Sequence, residues 1–209
     1  MDRRMTGWVA FGVIWVLTVA AGFIVLWRYK LRPGEAEGAP AVWPTESRIP
    51  RHQDRATLVL FAHPQCPCTR ASLAELARLM AGFEDRLSAD VVFLRPSDVG
   101  ADWDHTDLWP RASAIRGVMT VRDDDGVEAA RFGAVTSGMT ALYDPQGRLL
   151  FSGGITSARG HEGDSFGLRR IRSLLLTGKA DRPDAPVFGC ALGNEPARRP
   201  AHGSEEERQ

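Results

Sequence analysis

Residues 57–76, TLVLFAHPQCPCTRASLAEL, set two thiols between a short apolar run and a stretch with helical spacing. Thr57 to Ala62 reads as a buried strand by its apolar run. From residue 70 onward, Leu73, Leu76, Ala77, Met80 and Leu87 recur on one face, which predicts a helix over 70–87. Cys66 and Cys68 therefore fall on a strand-to-helix turn. A helix N-terminus carries roughly half a positive charge and free N–H groups, so it stabilises a thiolate. The thiolate is both the nucleophile of disulfide exchange and a soft metal ligand. Two buried structural thiols are the plainer alternative. Pro67 argues against it, because a proline between the cysteines stiffens the turn and removes an N–H.

Outward from this turn, the chain of 209 residues has room for one domain with appendages. Its 26 basic and 26 acidic side chains balance, and no basic footprint for nucleic acid is visible. Three cysteines are too few for a disulfide scaffold. The third, Cys190, lies in a late Pro- and Gly-rich stretch, where it can resolve the pair, act as a further ligand or be inert.

Trp8 to Trp27 is a run of 20 uncharged residues, which as a helix spans about 30 Å, the thickness of a bilayer's hydrocarbon core. Trp8 and Trp27 sit at its ends, where indoles favour the interface. A cleavable signal peptide is the competing reading: Arg3 and Arg4 form a basic start and Val19-Ala20-Ala21 resembles a cleavage site. The apolar run continues past it, which favours an uncleaved anchor. Residues 1–32 are thus expected to be a transmembrane helix with its flanks, meeting the lipid bilayer over 8–27. The flanking charges, Arg28, Lys30 and Arg32 against Arg3 and Arg4, lean toward a cytoplasmic C-terminus.

Residues 33–55 contain four prolines and no apolar periodicity, and read as a semi-extended linker. A domain is expected over 56–192 and a disordered tail over 193–209, which ends in GSEEERQ. Within the domain, Asp90–Leu94 is a second strand and Leu108 to Ile115 a helix. Gly117–Val121 is a short strand, Asp123 to Gly126 a solvated turn and 127–132 a short helix. Met139–Tyr143 and Arg148–Phe151 form a hairpin around Asp144-Pro145-Gln146-Gly147. Asp164 to Leu176 is a helix capped by Asp164.

The resulting order, β-α-β-α-β-β-α with a cysteine motif after the first strand, resembles the thioredoxin-like α/β fold. FAHPQCPCTRASLAEL is similar to the active-site segment of membrane-anchored thioredoxin-like proteins of the RedB type. TSGMTALYDPQGRLLFSGGIT resembles their closing hairpin, RGHEGD the loop after it, and VFGC their late cysteine. The resemblance covers roughly residues 41–192. It implies a membrane-anchored thiol-disulfide oxidoreductase with protein dithiol or disulfide partners and no cofactor. Cys66 would be the nucleophile and Cys68 the resolving thiol. Relatives with one N-terminal anchor present the domain outside the cytoplasm, on the periplasmic side of the inner membrane.

Connectivity alone sends the C-terminal end of the first strand to the same edge as the hairpin's start and the loop 153–164. Cys66 and Cys68 are expected to face Gly138, Met139 and that loop. Two departures from the resemblance stand out. Thioredoxins have two residues between their cysteines and this chain has one, so a Cys66–Cys68 disulfide closes a smaller, more strained ring. Thioredoxins also place a cis-proline opposite the cysteines, where this chain has Met139. Met139 leaves a thioether near two thiols. Cys66, Cys68, His63 and Met139, with Cys190 or His161 added, form a soft donor set suited to copper as Cu(I), which is the alternative function. Peroxide reduction is a third reading, from the likeness of Cys68-Thr69 to the peroxidatic segment of peroxiredoxins. His63 is either a satisfied polar residue at a strand end or a cation that lowers a thiol pKa. His161 is a proton donor to a leaving thiolate or a loop residue.

Overall fold

The computed structural model describes residues 3–100 and 102–193. Apart from Gly193, the expected tail over 193–209 lies outside the described residues. The chain divides into two units, Met1–Arg32 and Pro33–Gln209. In the first, helix α1 runs Arg3–Leu31, and its Gly7–Leu31 portion is long and apolar enough to cross a membrane.

The second unit is built on strand β1 (Ala56–Ala62), whose seven residues are all buried. Helix α2 (Pro67–Phe83) follows, then β2 (Leu87–Arg95), α3 (Leu108–Ser113), β3 (Val118–Asp124) and α4 (Val127–Arg131). The hairpin β4 (Met139–Tyr143) and β5 (Leu149–Gly154), helix α5 (Phe166–Thr177) and the two-residue strand β6 (Asp184–Ala185) complete it. The sheet order is β3-β2-β1-β4-β5-β6. β1 and β2 are parallel, β4 runs antiparallel to both β1 and β5, and β3 and β6 extend the edges in parallel.

Side-chain alternation along the strands divides the core in two. Leu58, Leu60, Val91, Phe93 and Leu142 pack with Leu76, Leu79 and Met80 of α2 and Ile171 of α5. Val59, Phe61, Val92, Ala141 and Tyr143 point the other way, onto Phe132 and Trp43. Trp43 stands edge-on to both Phe132 and Tyr143, with ring centroids 5.2 and 5.0 Å away. Each such side chain contributes about 1.5–3 kcal/mol by leaving water.

Several expectations are revised. Residues 33–55 are not a free spacer. The Gly34 N–H donates to Val187 O at 2.8 Å, Val42 pairs with Arg148, and Trp43 and Ile49 are buried. The apolar side chains that the prolines space out are what dock this segment. Helix α2 stops at Phe83, and Leu87 opens β2 paired with Ala56. Leu87 continues the i, i+4 face of Phe83 in sequence, but the sheet claims it. Ser165, not Asp164, caps α5, accepting the Leu168 N–H at 3.3 Å. Asp123 is no solvated turn residue. It is buried and accepts the N–H groups of Glu128 and Ala129, both at 2.8 Å, at the start of α4.

Candidate functional site

The thiol turn leaves the end of β1 as His63-Pro64-Gln65-Cys66. The Cys66 N–H closes it on His63 O at 3.0 Å, and the Thr69 N–H bonds Cys66 O at 3.1 Å. Cys66 is the N-cap of α2, in extended conformation, and Pro67 opens the helix. Proline suits that position because its missing N–H has no partner there anyway. Cys66 is 1 % exposed, while Cys68 and Cys190 are half-buried; all three are free thiols.

Cys66 interacts with both other thiols. Hydrogen bonding with Cys68 is the leading cause that brings its pKa down to about 4, against burial, which pushes it up; Cys190 lowers it further. Donors aimed at the charged form favour it, which is why a thiolate persists in so enclosed a place. The complementary shifts follow. Cys68 is held well above the ordinary thiol range, first because it donates to Cys66 and then by burial and charge repulsion. Burial, followed by its bond to Cys66, pushes Cys190 up to about 11. The Arg159 guanidinium opposes both rises.

His63 does not supply a cation at neutral pH. Burial lowers its pKa, opposed by the Cys66 charge, and its Nδ1 accepts the Gln65 N–H at 3.1 Å. Its ring stands edge-on to Trp103, 5.2 Å between centroids. Gln65 donates to Trp103 O at 3.0 Å and Thr106 to Pro64 O at 2.9 Å, which bind the 102–107 loop to the thiol turn. Beside it opens a cleft of about 490 Å³ lined by Asp104, His105, Thr106, Trp109, Pro110 and Arg122.

Met139 was expected in the groove beside the thiols. Instead it is 1 % exposed in the Phe61–Phe132 cluster, on the face of the sheet away from α2. Strand alternation puts it on the same side as Ala141 and Tyr143. The residue that meets the turn is Ser137. Its Oγ accepts the His63 N–H at 2.9 Å and lies 3.0 Å from Thr69 Oγ1, and its N–H donates to Cys190 O at 2.8 Å. The Gly138 N–H donates to Phe61 O at 2.7 Å, so this edge of β4 does abut the turn. The loop after β5 also arrives as connectivity predicts. Gly163 N–H donates to the buried Glu75 of α2, and Arg159 donates to Gly189 O. His161 lies in that loop with its N–H on Ala158 O at 3.2 Å.

The copper donor set is broken up by the placement of Met139. Among the described residues no group of three or more His, Cys, Asp or Glu side chains is arranged to hold a metal ion. Sequence reasoning missed Ser137, Thr69 and Arg159. Ser137 had a legible signal as a small hydroxyl residue just ahead of the strand that pairs with β1, whereas Arg159 had none.

No protein family and no curated protein matches the chain. Solved structures do. An uncharacterized conserved protein from Geobacillus kaustophilus superposes with a TM-score of 0.58 at 17% identity, over 80% of this chain and 94% of that one. A hypothetical protein from Sinorhizobium meliloti gives 0.58 at 19% identity, over 75% and 96%. The thioredoxin domain of a thiol-disulfide oxidoreductase from Bacteroides vulgatus gives 0.42 at 16% identity, over 69% and 99%. The fold is thioredoxin-like. Its marks are the sheet β2-β1-β4-β5 with β4 reversed, α2 and α5 packed on one face, and the thiol turn between β1 and α2.

Proposed function

We propose that this chain is a membrane-anchored thiol-disulfide oxidoreductase that works through Cys66 and Cys68. The observation that supports it is Cys66, buried at the N-cap of α2 with Cys68 and Cys190 favouring its thiolate. A structural thiol has no use for such a cradle, whereas a nucleophile or leaving group does.

The Cys66 thiolate attacks one sulfur of a partner disulfide. A Cys66–partner bond forms, and the partner's other sulfur leaves as a thiolate. Cys68 then gives up its proton and attacks Cys66 Sγ. The Cys66–Cys68 bond forms and the second partner thiolate departs, so the partner gains two electrons and the dithiol loses two. Run in reverse, the disulfide oxidises a partner dithiol. The stabilised Cys66 thiolate is a good leaving group, which favours the reverse direction. Helix α1 would hold the domain at a lipid bilayer, and the extracytoplasmic side suits an oxidising dithiol.

The test is exchange between the full-length chain in detergent and glutathione or a disulfide-bonded peptide. Wild type should turn over, and Cys66→Ser should lose the activity. Equal rates for the two proteins would overturn the proposal.

A further inference from the structure

Cys190 reaches the thiol turn by a built path. After β6 the chain crosses the end of the sheet with Val187 buried at 1 % exposure. Residues 190–192 then run antiparallel to 135–137. The Ser137 N–H donates to Cys190 O at 2.8 Å, Thr136 bridges Ala191, and the Leu192 N–H donates to Val135 O at 2.9 Å. Leu192, 1 % exposed, is anchored in the cluster around Phe132. Gly189 has no room for a Cβ, which would collide with the Ser137 carbonyl oxygen. Arg159 grips the Gly189 carbonyl from the opposite loop. The Cys190 backbone is therefore held from two sides, next to Ser137, whose Oγ holds the His63 end of the thiol turn, and Cys190 favours the Cys66 thiolate.

We infer that Cys190 is a third redox cysteine, a second resolving thiol that exchanges with Cys68 for the bond to Cys66. The inference rests on the disulfide-exchange reading above. Two steps are open to it. In the first, Cys190 loses its proton and attacks Cys66 Sγ of a mixed disulfide; the Cys66–Cys190 bond forms and the partner leaves as a thiolate. In the second, Cys190 attacks Cys66 Sγ of the Cys66–Cys68 disulfide, and Cys68 leaves as a thiolate and takes up the proton that Cys190 lost. That rearrangement is neutral in electrons and needs no outside oxidant. It replaces a bond closed over a single residue, Pro67, by one that joins two separately anchored segments, and short-loop disulfides are the strained ones. Arg159, whose charge favours the thiolate of both Cys68 and Cys190, serves whichever of the two is leaving or attacking.

The experiment uses the full-length chain in detergent, oxidised with glutathione disulfide, quenched in acid, alkylated and digested. A Cys66–Cys68 bond stays inside one peptide, and a Cys66–Cys190 bond links two. In wild type the linked pair should accumulate beside the internal one. In Cys68→Ser the glutathione adduct at Cys66 should clear at least about tenfold faster than in the Cys68→Ser/Cys190→Ser double variant, with the linked pair as product. Wild type without any linked pair, together with equally slow clearance in the two variants, would overturn the inference while leaving Cys66–Cys68 exchange standing. A Cys66 that never takes up glutathione in any of these proteins would overturn both readings. The wild-type measurement holds even if a substitution disturbs folding.

Discussion

The hydroxyl oxygen of Ser137 accepts the backbone N–H of His63 at 2.9 Å, and so joins the segment two residues ahead of β4 to the first residue after β1. The same Oγ lies 3.0 Å from Thr69 Oγ1, which also donates to His63 O at 3.2 Å. One buried hydroxyl thereby ties the strand end, the turn and the first turn of α2. The thiols keep their mutual geometry because this clamp holds both ends of the four-residue loop.

Ser137→Ala leaves the half-buried His63 N–H short of a partner and takes one of its two partners from the Thr69 hydroxyl, which keeps His63 O. It should cost about 1–3 kcal/mol of folding stability. It should also loosen the turn, so that Cys66 alkylates with a higher apparent pKa. Denaturant unfolding and an alkylation pH profile check both. A variant as stable as wild type, with the same profile, would show that the clamp carries no weight.

The Cys66 pKa of about 4 sets a pH dependence. An unperturbed thiol ionises near about 8.5. The rate of Cys66 alkylation in the reduced chain should therefore level off above about pH 5, where an ordinary thiol rises steeply through pH 8. Folding linkage carries the same sign. A lowered pKa gives the reduced form stability that is fully present above the unfolded thiol's pKa and lost as pH falls through about 4. A single alkylation inflection near pH 8 would contradict the thiolate cradle.

The fold was legible because its signals are local. The apolar run of β1, the helical face of α2 and the Asp144-Pro145-Gln146-Gly147 turn each announce an element, and strand alternation does the rest. The site was legible in part. Cys66 and Cys68 share a turn, so spacing places them together. The side chain at 139 was misplaced because connectivity gives the edge of a strand and not the face. The parity of MTALY, with Tyr143 in the core, was the available cue. Cys190 and Arg159 come to the thiol turn only through long-range packing of the chain after β5, which no local pattern encodes. Asp90 was unreadable for a related reason: a charged residue opening the apolar run DVVFL looks like a strand end.

Asp90 instead sits within β2, 1 % exposed, with Oδ2 lacking a hydrogen-bond partner, and burial raises its carboxyl to about 7. The unfolded chain ionises it near about 3.9. Its contribution to stability is thus fully present below that pH and lost as pH rises through about 7. Asp90→Asn removes the titration, so it should gain on wild type by about 4 kcal/mol between pH 4 and pH 8. Denaturant midpoints at the two pH values measure it, and a gap of the same size at both would refute the assignment.

The last prediction concerns the proton count of the redox step. If both thiols were protonated when reduced, each disulfide would take up two electrons and two protons. The potential would then fall by about 59 mV per pH unit. The structure assigns one thiolate, Cys66, and one thiol held well above the ordinary range, Cys68, over the whole neutral region. Reduction then takes up a single proton, and the slope for a two-electron couple drops to about 30 mV per unit. The position of the couple should shift as well. At pH 7 a Cys66 ionising near 4 stabilises the reduced form by roughly three tenfold steps, which makes the disulfide about 90 mV more oxidising than the same pair with ordinary thiols. Equilibration of the full-length chain with glutathione buffers between pH 5.5 and 8.5, read by the fraction alkylated, gives slope and position together. A slope near 60 mV per unit across that range would mean that Cys66 is protonated when reduced, and the thiolate assignment would fall.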